Sequence, residues 1–180
     1  MSRINAITNE DATGMAKSLL DAVQAKLGMT PNLMKTMAHS PEALQGYLAL
    51  NESIGSTLTA ELRAQIAIAV ANANGCRYCL SAHTAIGKMA GLSDEELSRA
   101  RNADAMDAKA KAVLGFASKI IRERGSVSDE DLREIRSAGF GDKEITEIVA
   151  HVALNTLTNY FNNVARTEID FPEIALTAAA

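Results

Sequence analysis

The stretch TAELRAQIAIAVANANGCRYCLSAH, Thr59 to His83, reads as two helices and the turn between them. Thr59 is a natural N-cap, because its hydroxyl can accept from the free amides of the first turn. Leu62, Ile66, Val70 and Ala73 then share one face at helical spacing. Asn74-Gly75 stops that helix, since glycine enters the left-handed conformation of a helix end without steric cost. A further helix is expected from about Cys76 to Ala90, stopped by Gly91.

The same punctuation extends outward in both directions. Toward the N-terminus it predicts a helix over Asn9–Leu27, a Pro-containing connection with a short helical turn over Thr30–Ser40, and a helix from Pro41 to about Ile54. Toward the C-terminus, Ser93 with Glu96 forms a capping box, Asp104 is the expected cap of a helix ending at Gly125, Ser128 starts another, and a long helix begins near Asp142. Only three prolines occur, at 31, 41 and 172, so no obligatory breaker interrupts the residues between the last two. Alternating strand patterns bounded by turns are missing. The fold class read from the residues is all-α, with about eight helical segments. The Ala-rich tail after Pro172 reads as loosely ordered.

Composition narrows the function classes. A chain of 180 residues with 47% hydrophobic and 22% charged residues is ordinary globular composition. A net charge of −4 argues against a nucleic-acid partner. Two cysteines are too few for a disulfide-stapled secreted fold, and no apolar segment follows Met1, so a cytoplasmic location is expected. The uncharged run Ile148–Ala165 holds His151 and four asparagines, which are expensive in a bilayer, so no membrane role is expected.

The chemistry concentrates in Cys76, Cys79 and His83. On a helix these positions lie along one face, four and seven residues apart. Sulfurs spaced Cys-x-x-Cys can form a disulfide, and a helix N-terminus stabilises a thiolate through its unpaired amides. His83 has the chemistry of a general acid/base. The surroundings are the least acidic of the chain, with three positive charges against one negative between Ser53 and Leu92.

Other readings of these residues stay open. Both cysteines can be small buried hydrophobes with His83 a core residue. Alternatively, Cys76, Cys79 and His83 with His39 or His151 can hold zinc, although a second close ligand pair is lacking. A thioredoxin-type site needs a βαβ unit that the sequence does not show. On the last helix His151, Asn155, Asn159 and Asn162 form a stripe of uncharged polar residues. An oligomer interface is its first reading and lining of an active cavity its second.

Asn-Gly-Cys-x-Tyr-Cys-x-x-x-His, ending at His83, resembles the core motif of the carboxymuconolactone decarboxylase / alkylhydroperoxidase D (AhpD) superfamily. Looser matches at 58–63, 90–93, 138–140 and 159–162 are similar to its peroxidase-related branch. The resemblance implies one AhpD-like helical domain over 1–180, with the core motif at 58–92, assembled into homo-oligomers such as trimers or hexamers. It implies a cysteine-dependent alkyl or hydrogen peroxide reductase acting on a small hydroperoxide. Cys79 would be the attacking residue, Cys76 the resolving one and His83 the relay, with no cofactor or metal and an external dithiol as reductant.

Two positions depart from the family pattern. Tyr78 stands where some members carry a second relay histidine, and Ala64 where the full relay has a glutamate. Gln65 and Glu61 are the nearby candidates to substitute for that glutamate, and only Glu61 can take a proton. A lactone decarboxylase of the same superfamily is the alternative, against which the paired cysteines count. A non-enzymatic redox sensor or zinc-stabilised scaffold is the alternative outside it.

Overall fold

The computed structural model describes residues 1–177, and these contain nine helices and no strand. They are α1 (Gly14–Leu27), α2 (Asn32–Met37), α3 (Pro41–Ile54), α4 (Ala60–Ala73), α5 (Arg77–Met89), α6 (Asp94–Arg101), α7 (Ala108–Arg122), α8 (Asp129–Ser137) and α9 (Asp142–Ala165). The all-α reading therefore holds, with the short turn after Pro31 counting as a helix in its own right.

Several boundaries follow from caps visible in the sequence. The Thr59 hydroxyl accepts from the Leu62 amide at 3.2 Å, and Ser93 and Ser128 each close a capping box. Two expectations are corrected. The first helix starts at Gly14, not Asn9, because Asn9 turns its amide onto the Thr30 hydroxyl and Thr8 binds Asp11 in a turn of its own. The cap of α7 is Asp107, whose carboxylate accepts from the Ala110 amide at 2.8 Å. Asp104 instead pairs with Arg99 and Lys111.

Helix α4 is the axis of the molecule. Every residue from Ala64 to Asn72 is buried, so its apolar surface runs all the way round rather than along the single face expected. Helices α5, α6, α7 and α9 pack around it. Small residues let α4 and α5 approach closely. A Cβ placed on Gly87 would lie 3.6 Å from the Ala64 Cβ, but 2.7 Å from Leu97 Cδ2 and 3.2 Å from Leu92 Cδ1.

The chain ends embrace α9 and α5. The Arg3 amide caps the Ala165 carbonyl at 2.7 Å. The segment after Pro172, expected to be loose, is a strap: the Ile174 amide donates to Ser81 Oγ, the Thr177 amide to Asn72 Oδ1, and Glu173 pairs with Arg77. Residues 178–180 of that tail lie outside the described residues. No described helix is long and apolar enough to cross a membrane.

Leu97 and Leu92 are both buried and have little room to yield. Gly87→Ala is therefore expected to destabilise the protein by about 1–3 kcal/mol through overpacking, measured by urea unfolding. An unchanged midpoint would mean that α6 moves freely against α5.

Candidate active site

The turn between α4 and α5 builds the site. Gly75 takes φ +63, where a side chain would be strained, and the Cys76 amide donates to the Ala71 carbonyl at 2.8 Å. Cys76 is consequently extended and occupies the N-cap of α5 rather than its first turn. Its sulfur does the work usually given to a cap oxygen, accepting from the Cys79 amide at 3.3 Å.

Both thiols are reduced, and both are buried, with Cys76 fully enclosed and Cys79 2% exposed. They divide one proton unequally. Cys79 is held below the ordinary thiol range, first by a hydrogen bond from the Cys76 thiol and then by Asn162, Asn159 and Thr158, and these outweigh its desolvation. Cys76 is pushed far up because its proton is engaged by the Cys79 sulfur, with burial adding to this. Of the two, Cys79 is the one that favours the thiolate and Cys76 the one that favours the thiol.

The third element is α9. Asn162 Nδ2 donates to Cys79 Sγ at 3.2 Å, and Asn159 Oδ1 accepts from Asn74 Nδ2 at 3.1 Å, tying α9 to the turn. The stripe His151, Asn155, Asn159 and Asn162 is buried within the chain. Its C-terminal part lines the cysteine site, so the first reading, an oligomer interface, gives way to the second. From α3, Tyr47 completes the surroundings. Burial and then the Cys79 charge push its phenol up to about 12, so it stays protonated. Tyr47 carried no motif in the sequence, and only the fold brings it to the sulfur.

The side chains of the remaining candidates make no hydrogen bond to either sulfur. His83 is half-buried, and desolvation alone pushes it down to about 4, so its imidazole is neutral at pH 7. It is not among the groups that hold either sulfur. Tyr78 points the other way, its hydroxyl accepting from the Leu33 amide at 3.0 Å and its ring edge-on to Phe171. Burial raises its phenol well above the usual range. Gln65 is buried on α4 two turns before Asn72, whose amide reaches the Arg101 carbonyl at the end of α6. Glu61 is exposed in the first turn of α4, and Ala64 is buried facing Gly87 of α5.

The four side chains of the zinc reading do not converge. His39 bonds the Asn5 carbonyl at 2.8 Å, His151 bonds Thr57 at 3.3 Å, and no group of three potential ligands gathers among the described residues.

A buried dithiol thus stands at a helix N-cap on an all-helical scaffold, with Cys79 the more readily ionised of the two. The model of the carboxymuconolactone decarboxylase family matches residues 41–123, which span α3 to α7. No curated protein matches the chain. Among solved structures, it is similar to the alkylhydroperoxidase AhpD core of an uncharacterised peroxidase-related protein from Ralstonia eutropha JMP134. The TM-score is 0.84 at 26% identity, covering 94% of this chain and 92% of that one. A peroxidase-related protein from Silicibacter sp. TM1040 matches with TM-score 0.78 at 24% identity, covering 98% and 96%. The debrominase Bmp8 in complex with 2,3,4-tribromopyrrole matches with TM-score 0.79 at 20% identity, covering 94% and 92%, a likeness of fold alone. Residues 41–123 thus carry the carboxymuconolactone decarboxylase family pattern, on a fold similar to that of the AhpD core.

Asn162→Leu keeps the shape but removes a hydrogen bond to a charged sulfur, a contact worth about 1.5–3 kcal/mol. It should move the pH at which iodoacetamide alkylates Cys79 upward by roughly one to two pH units. Cys76→Ala should move it further, because the Cys76 proton is the larger cause. Identical alkylation profiles in all three proteins would show that Cys79 owes its charge to neither group.

Proposed function

We propose that the protein is a cysteine-dependent peroxidase that reduces a small hydroperoxide at the expense of an external dithiol. The observation that carries this reading is the buried pair itself, Cys76 accepting from the Cys79 amide and Cys79 Sγ from Asn162 Nδ2, which sets nucleophile and resolving thiol in one turn of chain.

In the proposed cycle the Cys79 thiolate attacks the terminal peroxide oxygen. An S–O bond forms, the O–O bond breaks, and Cys79 becomes a sulfenic acid. The departing alkoxide takes the proton of the Cys76 thiol and leaves as alcohol. The Cys76 thiolate so formed attacks the Cys79 sulfur, making the disulfide and expelling hydroxide, which is neutralised by solvent. The external dithiol then returns both sulfurs to the reduced state by exchange. Cys76 thus supplies the proton that a relay from His83 would otherwise carry. Asn162 steadies the thiolate, and Tyr47 remains neutral beside it.

The fold is shared with a debrominase, but at an identity that speaks for architecture only. The paired thiols and the peroxidase-related neighbour at 26% identity support a peroxide over an aryl halide.

The test is continuous peroxide consumption with dithiothreitol. Wild type should turn over many equivalents, whereas a redox sensor would consume about one per chain. Cys79→Ser should lose at least a hundredfold, the scale on which activated nucleophiles matter. Cys76→Ser should accumulate the Cys79 sulfenic acid, seen as a mass increase of one oxygen. Undiminished turnover in Cys79→Ser refutes the assignment.

The pH profile gives a separate check. Reactivity should fall as the pH drops through the Cys79 titration, which lies below that of an ordinary thiol, and stay level above it. With His83 near 4, no second inflection is expected in the range of an ordinary histidine. A step near pH 6.5 would restore an imidazole to the cycle.

A further inference from the structure

Where α9 ends against the start of α5, a cleft of about 350 Å³ opens to solvent, within the range of small-ligand sites. Its lining includes Gly75, Arg77, Tyr78, Asn162, Arg166 and Thr167. Asn162 is the same residue whose amide nitrogen touches Cys79, so a single side chain stands between the cleft and the sulfur.

Two buried polar atoms of this lining lack partners. Asn162, 3% exposed, leaves Oδ1 without a hydrogen bond, and Thr167, 8% exposed, does the same with Oγ1. Buried polar groups of a folded protein are normally satisfied, so a pair of orphans on one cleft marks a place for an occupant. The two offer complementary chemistry: Oδ1 only accepts, and a hydroxyl can donate.

The charges give the occupant its sign. Arg77 is paired with Glu173, and Asp170 behind Tyr78 accepts from the Asn32 amide. Glu168 is exposed beside the cleft and makes no ion pair among the described residues. Arg166 likewise has no carboxylate partner there. It ends α9 in the left-handed conformation, φ 49 and ψ 52, which only a few per cent of residues with a side chain adopt. That turn brings Thr167 back onto the Asn162 carbonyl and leaves Arg166 at the mouth of the cleft.

We propose that the cleft binds a hydroperoxide carrying a carboxylate. The carboxylate lies on Arg166 and the Thr167 hydroxyl, and the O–H of the hydroperoxide donates to Asn162 Oδ1 while Nδ2 keeps its bond to Cys79. Arg166 and Asn162 are one helical turn apart, so the two ends of the ligand are separated by roughly the span of an aromatic ring. The terminal oxygen is thereby presented to the thiolate, and the bonds made and broken are those of the peroxidase cycle. The substrate class rests on the peroxidase reading, whereas the anion site can be tested without it.

The experiment follows oxidation of fully reduced protein by stopped flow with no reductant present, so any preference belongs to the oxidant. Cumene hydroperoxide and its para-carboxylate are compared below saturation. Wild type should react about tenfold faster with the carboxylate, and added salt should shrink that ratio. In Arg166→Gln the ratio should fall to about one, and Arg166→Lys should keep part of it. Arg166→Asn, which tolerates the left-handed backbone, guards against a folding artefact. A wild-type ratio near one, or a ratio indifferent to Arg166, overturns the proposal.

Calorimetry of the carboxylated alcohol product supplies the independent arm. Binding weakened about tenfold in Arg166→Gln supports the anion site even if neither hydroperoxide oxidises Cys79, an outcome that would sink the peroxidase reading alone. Absent binding, or equal binding in both proteins, overturns the anion site.

Discussion

One proton between two sulfurs organises the centre of this molecule. A thiolate buried in protein is costly, because burial disfavours its charged form. Here the cost is offset by the Cys76 thiol, by Asn162 and by the amide-rich start of α5. Each requires a particular piece of architecture. The left-handed Gly75 places Cys76 at the N-cap, the uninterrupted α4 supplies the carbonyl that fixes the turn, and α9 brings its amides from the far side.

The packing around α4 serves that arrangement. Small residues at Ala64 and Gly87 bring α4 and α5 together, and Ala64 offers no carboxylate for a relay. His83 is correspondingly neutral and desolvated. In the proposed cycle the chemistry that a Glu–His chain would supply is concentrated in the thiol pair, and proton delivery falls to Cys76. The C-terminal strap is tied to α5 through Ser81 and to α4 through Asn72.

Most of the helical architecture was legible in the sequence because the caps are chemically explicit: Thr59, Ser93 and Ser128 each bind the amide that their position predicts. The misplaced starts have a common cause. Asn9 and Asp104 have the right residue type for capping, but each finds a tertiary partner that competes with it. Cys76 and Cys79 could be singled out from spacing alone. The contribution of α9 could not, since a stripe of amides on a helix looks the same whether it faces another subunit or a buried sulfur. Tyr47 left no trace in the sequence at all. Gln65 had to be placed by the packing of α4, which turns its stripe toward α6.

The most direct measurement is an NMR titration of isotope-labelled cysteine Cβ in the reduced protein. The account predicts that one cysteine, assigned to residue 79 by substitution, is already ionised at neutral pH while the other keeps its proton well into alkali. Two cysteines titrating together in the ordinary thiol range would contradict it.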